Sequence, residues 1–114
     1  RLPTIPILSN LNGQPVERFD ANYWAEQIRR PVQFATALER AQELGVATFL
    51  ECGPQASLSL LTDDGVSSLS QEQAEVTALM SAAGALHDRH QSLDWKAFFE
   101  PLGAARVVLP TYAF

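Results

Sequence analysis

The sequence predicts an α/β fold, and three observations carry that prediction. Short apolar runs of strand character, at 5–8 and 46–52, alternate with segments of helical periodicity at 31–44 and from 70 onward. Helix punctuation brackets the first of those segments, with Pro31 at the opening position and Gly45 as the stop. The composition, 46% hydrophobic and 18% charged over 114 residues, is that of one packed domain or part of one, and not of a disordered chain. A compact globule of this length buries roughly two thirds of its unfolded surface, so a sizeable core is expected.

Taken in order, residues 3–11 (PTIPILSNL) predict a short buried strand with Pro3 and Pro6 near its start. Asn12-Gly13 is a turn dipeptide, and residues 14–21 read as a polar loop. Asp20 or Asn22 caps a short helix through Tyr23, Trp24 and Ile28. The helix at 31–44 carries Phe34, Leu38 and Ala41 on one stripe. Strand 46–52 (VATFLEC) holds Val46, Phe49 and Leu50, which predicts burial on both faces, as in a parallel sheet. Gly53-Pro54 then leads into a short helix at 54–61. Asp63-Asp64-Gly65 is a turn, and Val66 to Leu69 a short strand. Ser70 followed by Gln73 has the spacing of a capping box, so a helix is expected from there to about Gln91. Asp94 caps a last short helix with Trp95, Phe98 and Phe99, and residues 106–109 are extended up to Pro110.

Charge and cysteine usage exclude several function classes. Eight basic against thirteen acidic residues leave a net charge of −5, which disfavours nucleic acid and anionic membrane surfaces. The single cysteine, Cys52, rules out an internal disulfide and a CxxC metal cage, and agrees with a reducing, cytoplasmic setting. No apolar run reaches the roughly 18 residues of a spanning helix. The chain opens on Arg1-Leu2-Pro3 and stops at Phe114 without an initiator Met, so it is expected to be a piece of something longer.

No residue set completes an active site. The nucleophile-elbow pattern GxSxG is absent, and Ser57 and Ser59 read as ordinary helix serines. Cys52 closes a strand predicted to be buried, where a thiol packs and does not react. His87 and His90 stand three apart without further ligands, so no metal site is expected. Gly53-Pro54 offers one glycine before a helix, too little to cradle phosphate.

Three blocks nevertheless carry a family resemblance: Tyr23-Trp24 with QIRRPVQF at 27–34, FLECGPQASL at 49–58, and LDW at 93–95 with LPTYAF at 109–114. In this order and spacing they resemble the C-terminal part of the acyltransferase domain of type I polyketide synthases, close to malonyl-CoA:acyl carrier protein transacylases, plus the linker that follows. The resemblance implies the C-terminal part of an α/β-hydrolase-like large subdomain at 1–69. A helix-containing linker with an extended tail would follow at 70–114. It implies a role in antibiotic-type polyketide biosynthesis, moving a malonyl-type unit from coenzyme A to the phosphopantetheine thiol of an acyl carrier protein. The CoA thioester would be the substrate of the whole domain, with no cofactor bound by this segment. The elbow serine and the base histidine would lie upstream, so the segment alone would be inactive.

One supporting role carries over: Gln27, followed by three residues and then Pro31-Val32, matches the glutamine whose backbone carbonyl accepts from the catalytic histidine in the transacylases. Most polyketide acyltransferases have His there instead. Ser9 and Asn10 are expected to support the site at the end of the first strand. Trp95, Tyr112 and Phe114 are expected to pack between domains. The implied partners are the rest of the acyltransferase, the ketosynthase with its linker, and the carrier protein. A purely structural or docking segment and an independent α/β binding module are the alternatives.

Overall fold

The computed structural model describes residues 3–111. In chain order it contains α1 (Ala21–Arg29), α2 (Phe34–Glu43), β1 (Phe49–Glu51), a 3-10 turn (Ser59–Leu61), β2 (Gly65–Ser67), α3 (Glu75–Asp88), α4 (Trp95–Phe99) and a second 3-10 turn (Glu100–Leu102). The helices and strands group into two compact units that divide after Phe49.

The first unit starts with a tight hairpin and not with a buried strand. Leu8 and Pro15 form an antiparallel bridge, Ser9 N–H donates to the Gln14 carbonyl at 2.8 Å, and Val16 N–H donates to the Ile7 carbonyl at 2.8 Å. Asn12-Gly13 makes the turn as predicted, with Gly13 N–H on the Ser9 carbonyl. Ile5 is 74% exposed and Ile7 is exposed too. Pro3 and Pro6 lack the N–H groups a ladder needs, and no strand among the described residues pairs with 3–7.

α1 forms where expected. The Asp20 carboxylate accepts the Tyr23 N–H at 2.9 Å, satisfying one of the unpaired donors of the first turn. Phe19, Tyr23 and Trp24 pack their rings with centroids 5.1–5.7 Å apart. Pro31 does not open α2, which begins three residues later, after Gln33 at φ −99, ψ 54. The Gln33 N–H is instead tied to the Asn10 carbonyl at 2.6 Å. The far end of α2 follows the prediction. Gly45 sits at φ 86, its N–H meets the Gln42 carbonyl, and Val46 N–H meets that of Ala41. This double closure requires a left-handed residue at the stop, which glycine adopts without a Cβ penalty.

The second unit is built on β2 and on β1 from Leu50 onward, strands of three residues each that pair in a two-stranded sheet. β1 is shorter than predicted and is not buried on both faces, since Leu50 is exposed. A pair this small has only one covered side. There α3 packs on β2, bringing buried Ala78 and Ala82 to the same core as buried Val66.

α3 begins at Glu75, later than the capping-box spacing predicts. The Ser70 hydroxyl accepts from Glu72 N–H at 3.2 Å, two residues on, so it shapes a turn and caps nothing. At the other end His90 takes the left-handed conformation at φ 58, with its N–H on the His87 carbonyl and Gln91 N–H on that of Leu86. α4 carries its predicted cap, Asp94 accepting from Ala97 N–H at 2.9 Å. Residues 106–109 form no strand pairing among the described residues, and Val108 is 99% exposed.

Among the described residues the expected large core does not form. The buried apolar residues are Val16, Ala37, Val66, Ala78 and Ala82, and no large side chain among the described residues is fully enclosed. Alanines let backbones approach closely but remove little apolar area from water. Ile28, Leu60, Val76 and Leu102 remain on the surface.

Candidate functional site

Within the first unit the hairpin, α1 and the start of α2 converge on Ser9 and Asn10. Ser9 is buried, and its hydroxyl lies 3.2 Å from the Tyr23 hydroxyl while accepting from Leu11 N–H at 3.1 Å. Its backbone binds Gly13 and Gln14. Asn10, through its carbonyl, holds Gln33. The two residues therefore fix α1 through Tyr23 and the connection into α2 through Gln33. Neither contact could be read from the sequence, because both depend on a hairpin that the sequence reads as a strand.

Gln27 stands one turn after Tyr23 on the same face of α1. It is half-buried, and its side-chain Oε1 is buried without a hydrogen-bond partner among the described residues. It thus offers two acceptors, this amide oxygen and the backbone carbonyl in the last turn of α1. Glu26, beside it, pairs with Arg29 and with Arg30, the latter at 2.5 Å. Those exposed pairs hold the last turn weakly.

The most developed polar cluster is one that sequence reasoning missed. The predicted helix at 54–61 is reduced to the 3-10 turn Ser59–Leu61, and the chain before it wraps around the Glu51 carboxylate. Ser59 N–H donates to Oε2 at 2.7 Å, Leu58 N–H to the carboxylate at 3.0 Å, and Ser57 N–H at 3.1 Å. The Ser57 hydroxyl adds a fourth bond at 3.0 Å. These donors, the Ser59 N–H foremost, lower the Glu51 carboxyl from its ordinary 4.5 to about 2, against an opposing desolvation. Ser57 and Ser59 are therefore donors to a carboxylate and not helix-face serines. Gly65 completes the arrangement: a Cβ there would stand 2.1 Å from the Ser59 carbonyl. The available signal was Glu51 itself, the one acid ending a strand just before Gly53-Pro54.

Cys52 is exposed, because β1 ends at Glu51, so the expectation of a buried thiol fails. The His87 ring accepts the Trp95 indole N–H on Nδ1 at 3.4 Å. His90 has left the helical path, so the two histidines do not share a helix face as their spacing implies. Trp95 is half-buried, packs with Phe98 and Phe99, and lines a recess of about 820 Å³ with Lys96, Glu100 and Arg106. Tyr112 and Phe114 lie outside the described residues. Among the described residues no helix is long and apolar enough to cross a membrane.

No established protein-family model matches the chain. Among proteins of known role, a phenolphthiocerol synthesis type I polyketide synthase of Mycobacterium marinum is 36% identical across 100% of this chain. Polyketide synthase GfsA of Streptomyces halstedii is 34% identical across 98% of it. The chain spans only 6% and 2% of these two relatives. Among solved structures, the acyltransferase domain from the second module of the salinomycin polyketide synthase superposes with a TM-score of 0.85 at 34% identity. The match covers 100% of this chain and 29% of that one. The fold is therefore part of an α/β acyltransferase domain. Along its whole length the chain is similar to part of the acyltransferase domain of polyketide synthases, as the sequence resemblance implied.

Proposed function

We propose that this chain forms part of a polyketide synthase acyltransferase that moves a malonyl-type unit from coenzyme A to an acyl carrier protein. The observation that carries the reading is the match along the whole chain to a solved acyltransferase domain at 34% identity. In this reading the nucleophilic serine and the histidine base come from outside these residues, since the sequence has no GxSxG elbow. This segment contributes scaffold and the Gln27 backbone carbonyl. A carbonyl accepting from one imidazole nitrogen fixes the tautomer and leaves the other nitrogen free to take the serine proton. Ser9 and Asn10 support that carbonyl by anchoring both sides of α1.

The test is acyl loading. Purified alone, these 114 residues should take no label from malonyl-CoA, whereas a polypeptide that adds the elbow serine and histidine should become acylated and pass the group to a carrier protein. Labelling of the isolated chain above background would overturn the division of labour.

A second reading rests on a separate observation. Val107, Val108 and Leu109 are 70%, 99% and 74% exposed, an apolar stretch unsuited to water. It favours an interdomain packing role for the tail, with Trp95, Tyr112 and Phe114 as further contacts and the ketosynthase and its linker as the surfaces met.

A further inference from the structure

α1 ends in a way that denies the Gln27 carbonyl its helical partner. In a continuing helix that carbonyl would accept the N–H of residue 31. Residue 31 is proline and has none. The proline ring also bars the residue before it from the helical region, and Arg30 is extended at φ −92, ψ 154. The N–H of Arg30 goes to the Glu26 carbonyl at 2.9 Å, and that of Gln33 goes to Asn10. Among the described residues no loop N–H donates to the Gln27 carbonyl.

We propose that Pro31 is a positioning residue: it holds the Gln27 carbonyl open, at the C-terminal end of α1, for an imidazole N–H supplied from outside this chain. This rests on the acyltransferase reading above. The helix end adds to the effect, because its carbonyls present the negative pole of the helix dipole. Both favour the imidazolium that forms when the histidine takes the serine proton. The Gln33 N–H, bound to the Asn10 carbonyl, is likewise not spent on α1. A proline valued only for stiffness would need its ring; a proline valued for the missing donor would not.

That difference defines the experiment, performed on the complete acyltransferase-bearing polypeptide. Pro31→Ala restores an N–H and lifts the constraint on Arg30. Replacing Pro31 by lactic acid, the ester analogue of alanine, lifts the same constraint but supplies no N–H. In Pro31→Ala the amide at position 31 should become protected from hydrogen exchange at least about tenfold relative to an unfolded reference. Its kcat/KM should fall about tenfold or more. The acidic limb of its pH profile should move to lower pH, because the imidazolium loses an acceptor. The ester variant should return both the rate and the limb to the parent values. Free exchange at position 31 in Pro31→Ala, or an ester variant as impaired as the alanine one, overturns the proposal. A parent protein that transfers no acyl group would remove the acyltransferase reading, while the exchange measurement would still decide whether Pro31 keeps the carbonyl open.

Discussion

At Gln27 the main chain and the side chain make different predictions. If the backbone carbonyl is the working group, Gln27→Ala in the full domain should lower kcat by less than about tenfold, or roughly 1.4 kcal/mol in the barrier. Gln27→Pro should be far worse, since it removes a helix bond and clashes with the Tyr23 carbonyl, at about 3 kcal/mol or more of helix stability. Stopped-time acylation assays, with circular dichroism to verify folding, measure both. A thousandfold loss in a folded Gln27→Ala protein would move the role to the buried Oε1. Glu51 makes a pH prediction. Its carboxyl is lowered in the folded state, so the stabilisation it gives is full above about 4.5 and is lost as pH falls toward 2. Urea midpoints measured between pH 6 and pH 3 should fall more steeply for the parent than for Glu51→Gln, which has no such charge to lose. Parallel curves would refute this.

Elements were legible where one residue decides the geometry. Asp20, Asp94 and Gly45 act where their side chains or backbone freedom require. The failures share a cause: the deciding partner is distant or competes locally. Ser70 and Gln73 match a capping box, yet the hydroxyl finds the Glu72 N–H first. Pro31 fits a first helical position, but Asn10 captures Gln33 and delays α2. The leucines at 58, 60 and 61 suggest a helix, while the Glu51 carboxylate takes the N–H groups and reshapes the segment. Family resemblance singles out Ser9, Asn10 and Gln27 as candidates, but the hairpin that carries Ser9 and Asn10 was not legible. Gly65 belongs to this scale, since strand β2 can start beside the Ser59 carbonyl only without a Cβ. Gly65→Ala should destabilise the protein by about 1–3 kcal/mol, read from chemical denaturation. A change below about 0.5 kcal/mol would mean that the loop yields.

For the whole molecule, the small buried core has a counterpart in its coverage of relatives. The chain accounts for 29% of the solved acyltransferase domain it matches. The exposed Ile28, Leu60 and Val76 are faces that further secondary structure of such a domain would cover. The tail carries the corresponding prediction. Within a complete synthase, Val107 and Val108 should be shielded, so a spin label or fluorophore at Val108 should report restricted motion. Free tumbling of the label there would rule out tail docking.

The Glu51 loop also bears on the order of events as the chain folds. Its bonds join residues six to eight apart in sequence, whereas the Ser9–Tyr23 contact spans fourteen. Contacts across about ten residues are sampled within roughly 10–100 ns, long before a small domain completes its fold. The carboxylate can therefore gather its three amides while β2 is still searching for β1. It shortens the effective connection between the strands and lowers the entropy that their pairing must overcome. In acid, where the collector of those amides is protonated, strand pairing should become the slow step of this unit.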